Sequence, residues 1–199
     1  MKLVLASDNK GKLREFGALF ADHGIEVVSQ GSLGVTPCEE PYGTFLENAL
    51  AKARNAAKAT GLAAMADDSG ITAHALVTEP GGHSARYSGE KSNDAANNAK
   101  LVERLSAFED KSAHYTCVLV AVRSHDDPDP IVCEGCWYGE IVATPKGDGG
   151  FGYDPHFYLP EKGCTAAELS AEEKNQLSHR GKAMRLLLTE MQERWGVGR

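Results

Sequence analysis

The sequence predicts an α/β protein built on a mixed sheet. Three observations carry this. Short apolar strands alternate with helix-patterned segments from Lys2 to Phe108, the order that stacks helices on a sheet. Two long β-rich runs follow, His114 to Val122 and Pro130 to Val142, and the turn-prone link Ser124 to Asp129 joins them as an antiparallel hairpin. No linker, repeat or low-complexity tract interrupts the 199 residues, so a single domain over 1–199 is expected.

Each element has a local reason. Lys2 to Ala6 is a short apolar strand, followed by the polar turn Ser7-Asp8-Asn9-Lys10-Gly11-Lys12. Leu13, Phe16, Leu19 and Phe20 recur at helical spacing up to Gly24, and Ile25 to Val28 is the next strand. Pro37 and Pro41 punctuate a loop from Ser29 to Gly43. Thr44 and Glu47 form a capping box ahead of an alanine-rich helix that stops at Gly61. Leu62 to Ala66 has the small apolar composition of a buried strand. It runs into Asp67-Asp68-Ser69-Gly70, after which Ile71 to Leu76 continues extended. Thr78 to Asn93 is a loop, and Asp94 to about Phe108 a helix. Gly147 to Pro155 is a second glycine-rich loop; Thr165/Glu168 and Ser170/Glu173 repeat the capping-box spacing. Ser178 caps a last helix that runs to about Trp195, with Leu186, Leu187 and Met191 on its buried side.

Composition narrows the function. A hydrophobic fraction of 42% with 25% charged residues is that of a globular protein. No apolar run approaches the ~20 residues that span a bilayer, and the N-terminal apolar stretch is too short for a signal peptide, so no membrane association and a cytoplasmic location are expected. The net charge of -7 argues against nucleic acid as a partner, which needs a basic footprint, but leaves room for a small anion held by locally gathered cations. Five cysteines without a secretory signal argue against a disulfide framework. Cys133 and Cys136 have CxxC spacing, but in a strand they point to opposite faces and no second pair exists.

Three sites can carry chemistry. The turn from Ser7 to Lys12 lies between strand and helix, where free backbone N–H groups and the positive helix end meet, and Lys10 and Lys12 add cationic donors. It suits a phosphate chain; a solvated turn capped by Asp8 or Asn9 is the plainer alternative. Asp67-Asp68 ends a buried strand, where adjacent carboxylates repel unless something positive joins them. Mg²⁺ would do so and leave one carboxylate to activate water; a tight turn with Gly70 at positive φ is the alternative. Asn48, Lys52 and Asn55 form a polar stripe on the helix after Thr44, read as a solvated face, and Glu47 is either a cap or a metal neighbour. Phe151 and Tyr153 stand among glycines, where an aromatic face can stack on a base. Lys174, His179 and Arg180 gather donors near the start of the last helix, electrostatically the wrong end for cations, and donors suit a purine with oxygen at C6. Ser84 to Gly89 leaves Arg86 open between a phosphate clamp and a loop anchor. On these residues alone, a hydrolase and a non-catalytic purine-nucleotide-binding module both remain open.

Taken together, Ala6 to Lys12, Thr44 to Ala49 with Lys52-Ala53, Ala66 to Gly70, Ser84 to Gly89, Gly149 to Pro155 and Ser178 to Gly181 resemble the inosine triphosphatase-like family, the XTP/dITP diphosphatases, in order and over nearly the whole chain. The resemblance implies an elongated mixed sheet with flanking helices, two lobes around a cleft, and a homodimer. It implies Mg²⁺-dependent attack by water on ITP, dITP or XTP, releasing pyrophosphate and leaving the monophosphate. By position, Ser7, Asp8, Asn9, Lys10, Gly11 and Lys12 would hold the triphosphate. Asp68 would accept the proton and bind the metal, with Glu40 as the second acidic ligand. Ser69 would contact substrate, Phe151, Gly152, Tyr153 and Asp154 would embrace the base with Phe151 stacking, and Lys174, His179 and Arg180 would read its edge.

Overall fold

Seven strands form one open sheet in a computed structural model that describes residues 1–89 and 92–198. The strands are β1 (Lys2–Leu5), β2 (Glu26–Ser29), β3 (Ala63–Ala73), β4 (Ser112–Val122), β5 (Ile131–Ile141), β6 (Phe157–Leu159) and β7 (Cys164–Thr165). Five helices accompany them: α1 (Lys10–Ala21), α2 (Phe45–Thr60), α3 (Asp94–Leu105), α4 (Ala171–Leu177) and α5 (His179–Trp195). The order is β2-β1-β3-β4-β5-β6-β7. β1 pairs parallel with β2 and β3, with α1 and α2 in the crossovers that parallel pairing requires, and β6 pairs antiparallel with β5 and β7. The expected mixed sheet is borne out.

The chain divides into two compact units. The first comprises Met1–Asp68, Val118–Glu134 and the chain from Ala183 onward. Its core is small-residue packing: Ala49, Ala53, Ala56 and Ala57 of α2 lie against Val4, Ala64, Ala66, Val118, Val120 and Val122. Alanines at helical spacing let the helix backbone approach the strands closely. α2 begins at Thr44, whose hydroxyl accepts from the Glu47 N–H at 3.2 Å, and ends at Gly61 in the left-handed region. The capping box is half formed: the Glu47 carboxylate accepts from the Thr44 hydroxyl at 2.6 Å instead of reaching the Thr44 N–H, and it stays at the cap.

The second unit comprises Ser69–Cys117 and Gly135–Lys182, and its core is aromatic. Tyr115, Trp137, Tyr153 and Phe157 pack with Ile71, Leu101, Leu105 and Leu159, and the Tyr115 and Phe157 rings meet edge to face at 4.7 Å. Both downstream capping boxes, Thr165/Glu168 and Ser170/Glu173, form with both reciprocal bonds.

Five expectations are corrected. β3 runs unbroken from Ala63 to Ala73, so Asp67-Asp68 lies within the strand and does not end it, which also excludes the alternative of a tight turn. His74–Leu76 is a 3₁₀ turn instead of extended chain, and a second one, Gly81–Arg86, orders part of the expected loop; residues 90 and 91 of that loop lie outside the described residues. The helix expected to reach about Phe108 ends at Leu105. Leu186 is 50% exposed, because Ala183, Leu187 and Met191 at i, i+4 and i+8 already fill the buried stripe of α5.

Candidate active site

Successive strand residues face opposite sides, so the unbroken β3 sends Asp67 and Asp68 to different neighbours. The Asp67 side chain is 1% exposed, and the Lys12 ammonium lies 2.9 and 2.8 Å from its two oxygens. Asp68 is 18% exposed and lies 3.8 Å from the ammonium of Lys52. That same ammonium binds Glu40. Burial would pull the Lys52 pKa down, but the hydrogen bond to Glu40 and the charges of Asp68, Asp67 and Glu40 outweigh it and hold the group above its ordinary value. Two carboxylates from distant parts of the sequence thus converge on one positive point.

The polar stripe of α2 does this positioning, which overturns its reading as a solvated face. Asn48 accepts from the Tyr42 N–H and donates to the Tyr42 carbonyl, both at 3.1 Å. Asn55 donates to the Thr36 carbonyl at 2.9 Å. With Lys52 holding Glu40, three residues on one helix face fix the loop from Thr36 to Tyr42. Lys52 thus joins the candidate site through Glu40 and Asp68, and the i, i+4, i+7 pattern is the sequence signal for it.

The turn before α1 forms a helix N-terminus of the expected kind. The Asn9 side chain accepts from the Lys12 N–H at 3.0 Å, and the Asn9 N–H donates to the Ser7 hydroxyl at 3.2 Å. Lys10 is exposed at the first helical position. Asp8 faces elsewhere: its carboxylate accepts from the Gly31 N–H at 2.7 Å, and a Cβ on Gly31 would lie 2.2 Å from that oxygen. Asp8 is thus a brace on the segment after β2.

In the second unit, Phe151 is 57% exposed, with the Lys174 ammonium 4.5 Å and the Arg180 guanidinium 5.6 Å from its ring centroid. Asp154 is buried and organises them: it accepts from the Phe151 N–H at 2.9 Å and the Tyr115 hydroxyl at 3.1 Å, and it pairs with Lys174. A Cβ on Gly150 would meet the Asp154 carboxylate at 2.0 Å, and Gly150 has φ +68°, so both space and backbone demand glycine there. Tyr153 departs from expectation. It is 4% exposed in the core, and its hydroxyl donates to the Ser84 carbonyl at 2.6 Å, so its ring cannot embrace a base. Gly152 contributes its peptide alone, whose N–H donates to Asp94 and whose carbonyl accepts from Asn98, both at 2.8 Å. His179 is buried and stacks on Tyr115 at 4.6 Å with the rings 8° apart. Tyr115, unremarked in the sequence, joins both halves of this cluster; a lone tyrosine in a β-run carries no signal of that.

Of the sequence-predicted residues, the first unit holds Ser7, Asp8, Asn9, Lys10, Gly11, Lys12, Glu40 and Asp68; the second holds Ser69, Phe151, Gly152, Tyr153, Asp154, Lys174, His179 and Arg180. An open mixed sheet of seven strands with flanking helices, its third strand carrying two aspartates braced by lysines, defines the class: an α/β protein. More particularly, the chain belongs to the Ham1 family, whose profile matches residues 3–190. It is 58% identical over 190 residues to a dITP/XTP pyrophosphatase of Ralstonia nicotianae, covering 94% of each chain. To a protein of the same description from Nitrosomonas europaea it is 59% identical over 192 residues, covering 96% of this chain and 95% of the other. Among solved structures, it matches a HAM1 protein of Coxiella burnetii with a TM-score of 0.94 at 46% identity, over 97% of this chain and 99% of that one. The Staphylococcus aureus Ham1 protein matches with a TM-score of 0.89 at 39% identity over the same shares. The family resemblance read from six short motifs is borne out.

Proposed function

We propose that this chain hydrolyses the triphosphates of non-standard purines, ITP, dITP and XTP, to the monophosphate and pyrophosphate. The observation that carries the reading is the convergence of Asp68 and Glu40 on one cation, the Lys52 ammonium. Hard carboxylate oxygens drawn to a single positive point are the donor set that Mg²⁺ accepts alongside phosphate oxygens and waters. Asp68 and Glu40 would hold the ion; when bound, it neutralises charge on the phosphate chain. Asp68 takes the proton of the attacking water as the bond between the α- and β-phosphates breaks and pyrophosphate leaves. The Asn9-capped start of α1, with Ser7 and Lys10, offers N–H groups and positive charge to the phosphates. Lys12 stays paired with the buried Asp67 carboxylate. Phe151 stacks on the base, and Lys174, Arg180 and His179 supply donors that match a C6 oxygen and oppose a C6 amino group.

The names of the curated relatives support the substrate class. Among the described residues no helix is long and apolar enough to cross a membrane. A cytoplasmic location and a homodimer complete the proposal.

Asp68→Asn removes the proton acceptor while preserving size and the partly exposed setting. Its kcat for ITP falls about 10²–10⁴-fold, with the thermal midpoint within a few degrees of wild type. The assay is pyrophosphate release from ITP, XTP, GTP and ATP with and without Mg²⁺. Orthophosphate as first product, or near-normal turnover in Asp68→Asn, would remove the mechanism.

A further inference from the structure

Phe151 is more than half exposed on a glycine-framed loop, with Gly150 and Gly152 at φ +68° and +62° on either side. A residue so placed has little packing of its own, and ordering it only when ligand arrives would be costly. The backbone is nevertheless pinned beforehand. Besides the Phe151 N–H on Asp154, both polar groups of the Gly152 main chain are taken by α3: its N–H by the Asp94 carboxylate and its carbonyl by the Asn98 amide, each at 2.8 Å. Asp94 and Asn98 stand at i and i+4, and the Asn98 amide also donates to the Asp94 carbonyl at 2.9 Å, which fixes its own rotamer. Asn98 is 6% exposed. The neighbouring Asn97 grips the Ser84 to Ser88 segment in the same manner, accepting from the Ser88 N–H at 2.8 Å and donating to the Ala85 carbonyl at 3.1 Å.

We infer that Asp94 and Asn98 are positioning residues for base recognition: the N-terminal end of α3 clamps the Gly152 main chain so that the Phe151 ring is set before a nucleobase arrives. The inference rests on the base-stacking role proposed for Phe151. Ordering one or two backbone residues at the moment of binding weakens affinity by roughly tenfold or more, so loss of the clamp should cost that much, and only for ligands that carry a base.

The test titrates ITP and inorganic tripolyphosphate calorimetrically into the full chain in metal-free buffer with EDTA, where no turnover is needed. Asn98→Ala should weaken ITP about tenfold and leave tripolyphosphate unchanged. Asp94→Ala should do the same, while Asp94→Asn, which keeps an acceptor for the Gly152 N–H, should recover most of the affinity. In the ligand-free protein, amide exchange at residues 150–153 should quicken in Asn98→Ala. Equal weakening of both ligands, an unchanged ITP affinity, or no rescue by Asp94→Asn would overturn the clamp. Should Asn98→Ala fold poorly, the exposed Asp94 pair decides alone. A wild type that binds ITP yet releases no pyrophosphate would overturn the hydrolase reading and leave the clamp standing.

Discussion

Lys12 and Asp67 illustrate what one buried charge demands of its neighbour. The Asp67 side chain is 1% exposed and Lys12 22% exposed, so the carboxylate is the partner that cannot turn to water. Removing one member of a buried pair costs more than the pair contributes, because the other charge stays behind. The cost should be lopsided here. Lys12→Ala should lower stability by about 2–4 kcal/mol, the range for breaking such a pair with one partly wetted member, while Asp67→Asn should cost less, since it strands only a lysine that can reach solvent. Asp67→Asn in the Lys12→Ala background should recover at least half the loss. Thermal or urea unfolding of the three variants checks the order; a larger loss for Asp67→Asn than for Lys12→Ala would contradict it.

Helix α2 works on its two faces in different ways. Its alanine face packs the first unit's core, and its polar face ties down the loop that carries Glu40. Asn48 is the firmest of these ties, because it closes two bonds on one residue and is buried. Asn48→Ala leaves the Tyr42 peptide without either bond, an expected loss of about 1–3 kcal/mol. If the loop serves the metal, the Mg²⁺ concentration for half-maximal pyrophosphate release should rise severalfold, with kcat at saturating Mg²⁺ little changed. A lowered midpoint with unaltered Mg²⁺ dependence would separate the loop from metal binding.

The same helix marks how far sequence reasoning reaches. Its start at Thr44, its stop at Gly61 and its buried alanines follow from local patterning, as do the strand before Asp67 and the glycine-rich loop around Phe151. The duty of Asn48, Lys52 and Asn55 does not. A polar stripe looks alike whether it faces water or a loop, and only tertiary contact tells which. Asp8 and Tyr153 failed for a related reason. Both sit inside motifs that the sequence groups with a candidate site, but the side chain of one turns to Gly31 and that of the other into the core. Asp67 and Asp68 part company through strand geometry alone, since a period of two sends adjacent side chains to opposite faces.

Across the whole molecule, several buried groups titrate well to the alkaline side of their ordinary values. Burial, with the charge of Glu190, pushes the Cys133 thiol from 9.0 up to about 11. Burial, with the hydrogen bond and charge of Glu79, pushes the Tyr87 hydroxyl from 10.0 up to about 12. Tyr115 and Tyr153 are raised by burial as well, the first also by Asp154 and the second also by the charges of Tyr87 and Asp94. In each case the folded chain keeps a proton that the unfolded chain gives up, so unfolding gains as pH climbs past the unfolded value. Lys52 acts in the same direction: its folded pKa is raised, its stabilisation is complete below its ordinary value of 10.5, and it is lost as pH rises through the folded value. The contributions therefore accumulate in sequence, the Cys133 and Cys38 thiols from pH 9, the tyrosines from pH 10 and the lysine beyond. The thermal midpoint should stay level to about pH 8.5, decline between pH 9 and 10, and fall more steeply above. Cys133→Ala should lessen the first part of that decline and leave the second. Calorimetric melts in half-unit steps from pH 7 to 11 measure both, and a midpoint that holds steady through pH 10.5 would contradict the burial of these groups.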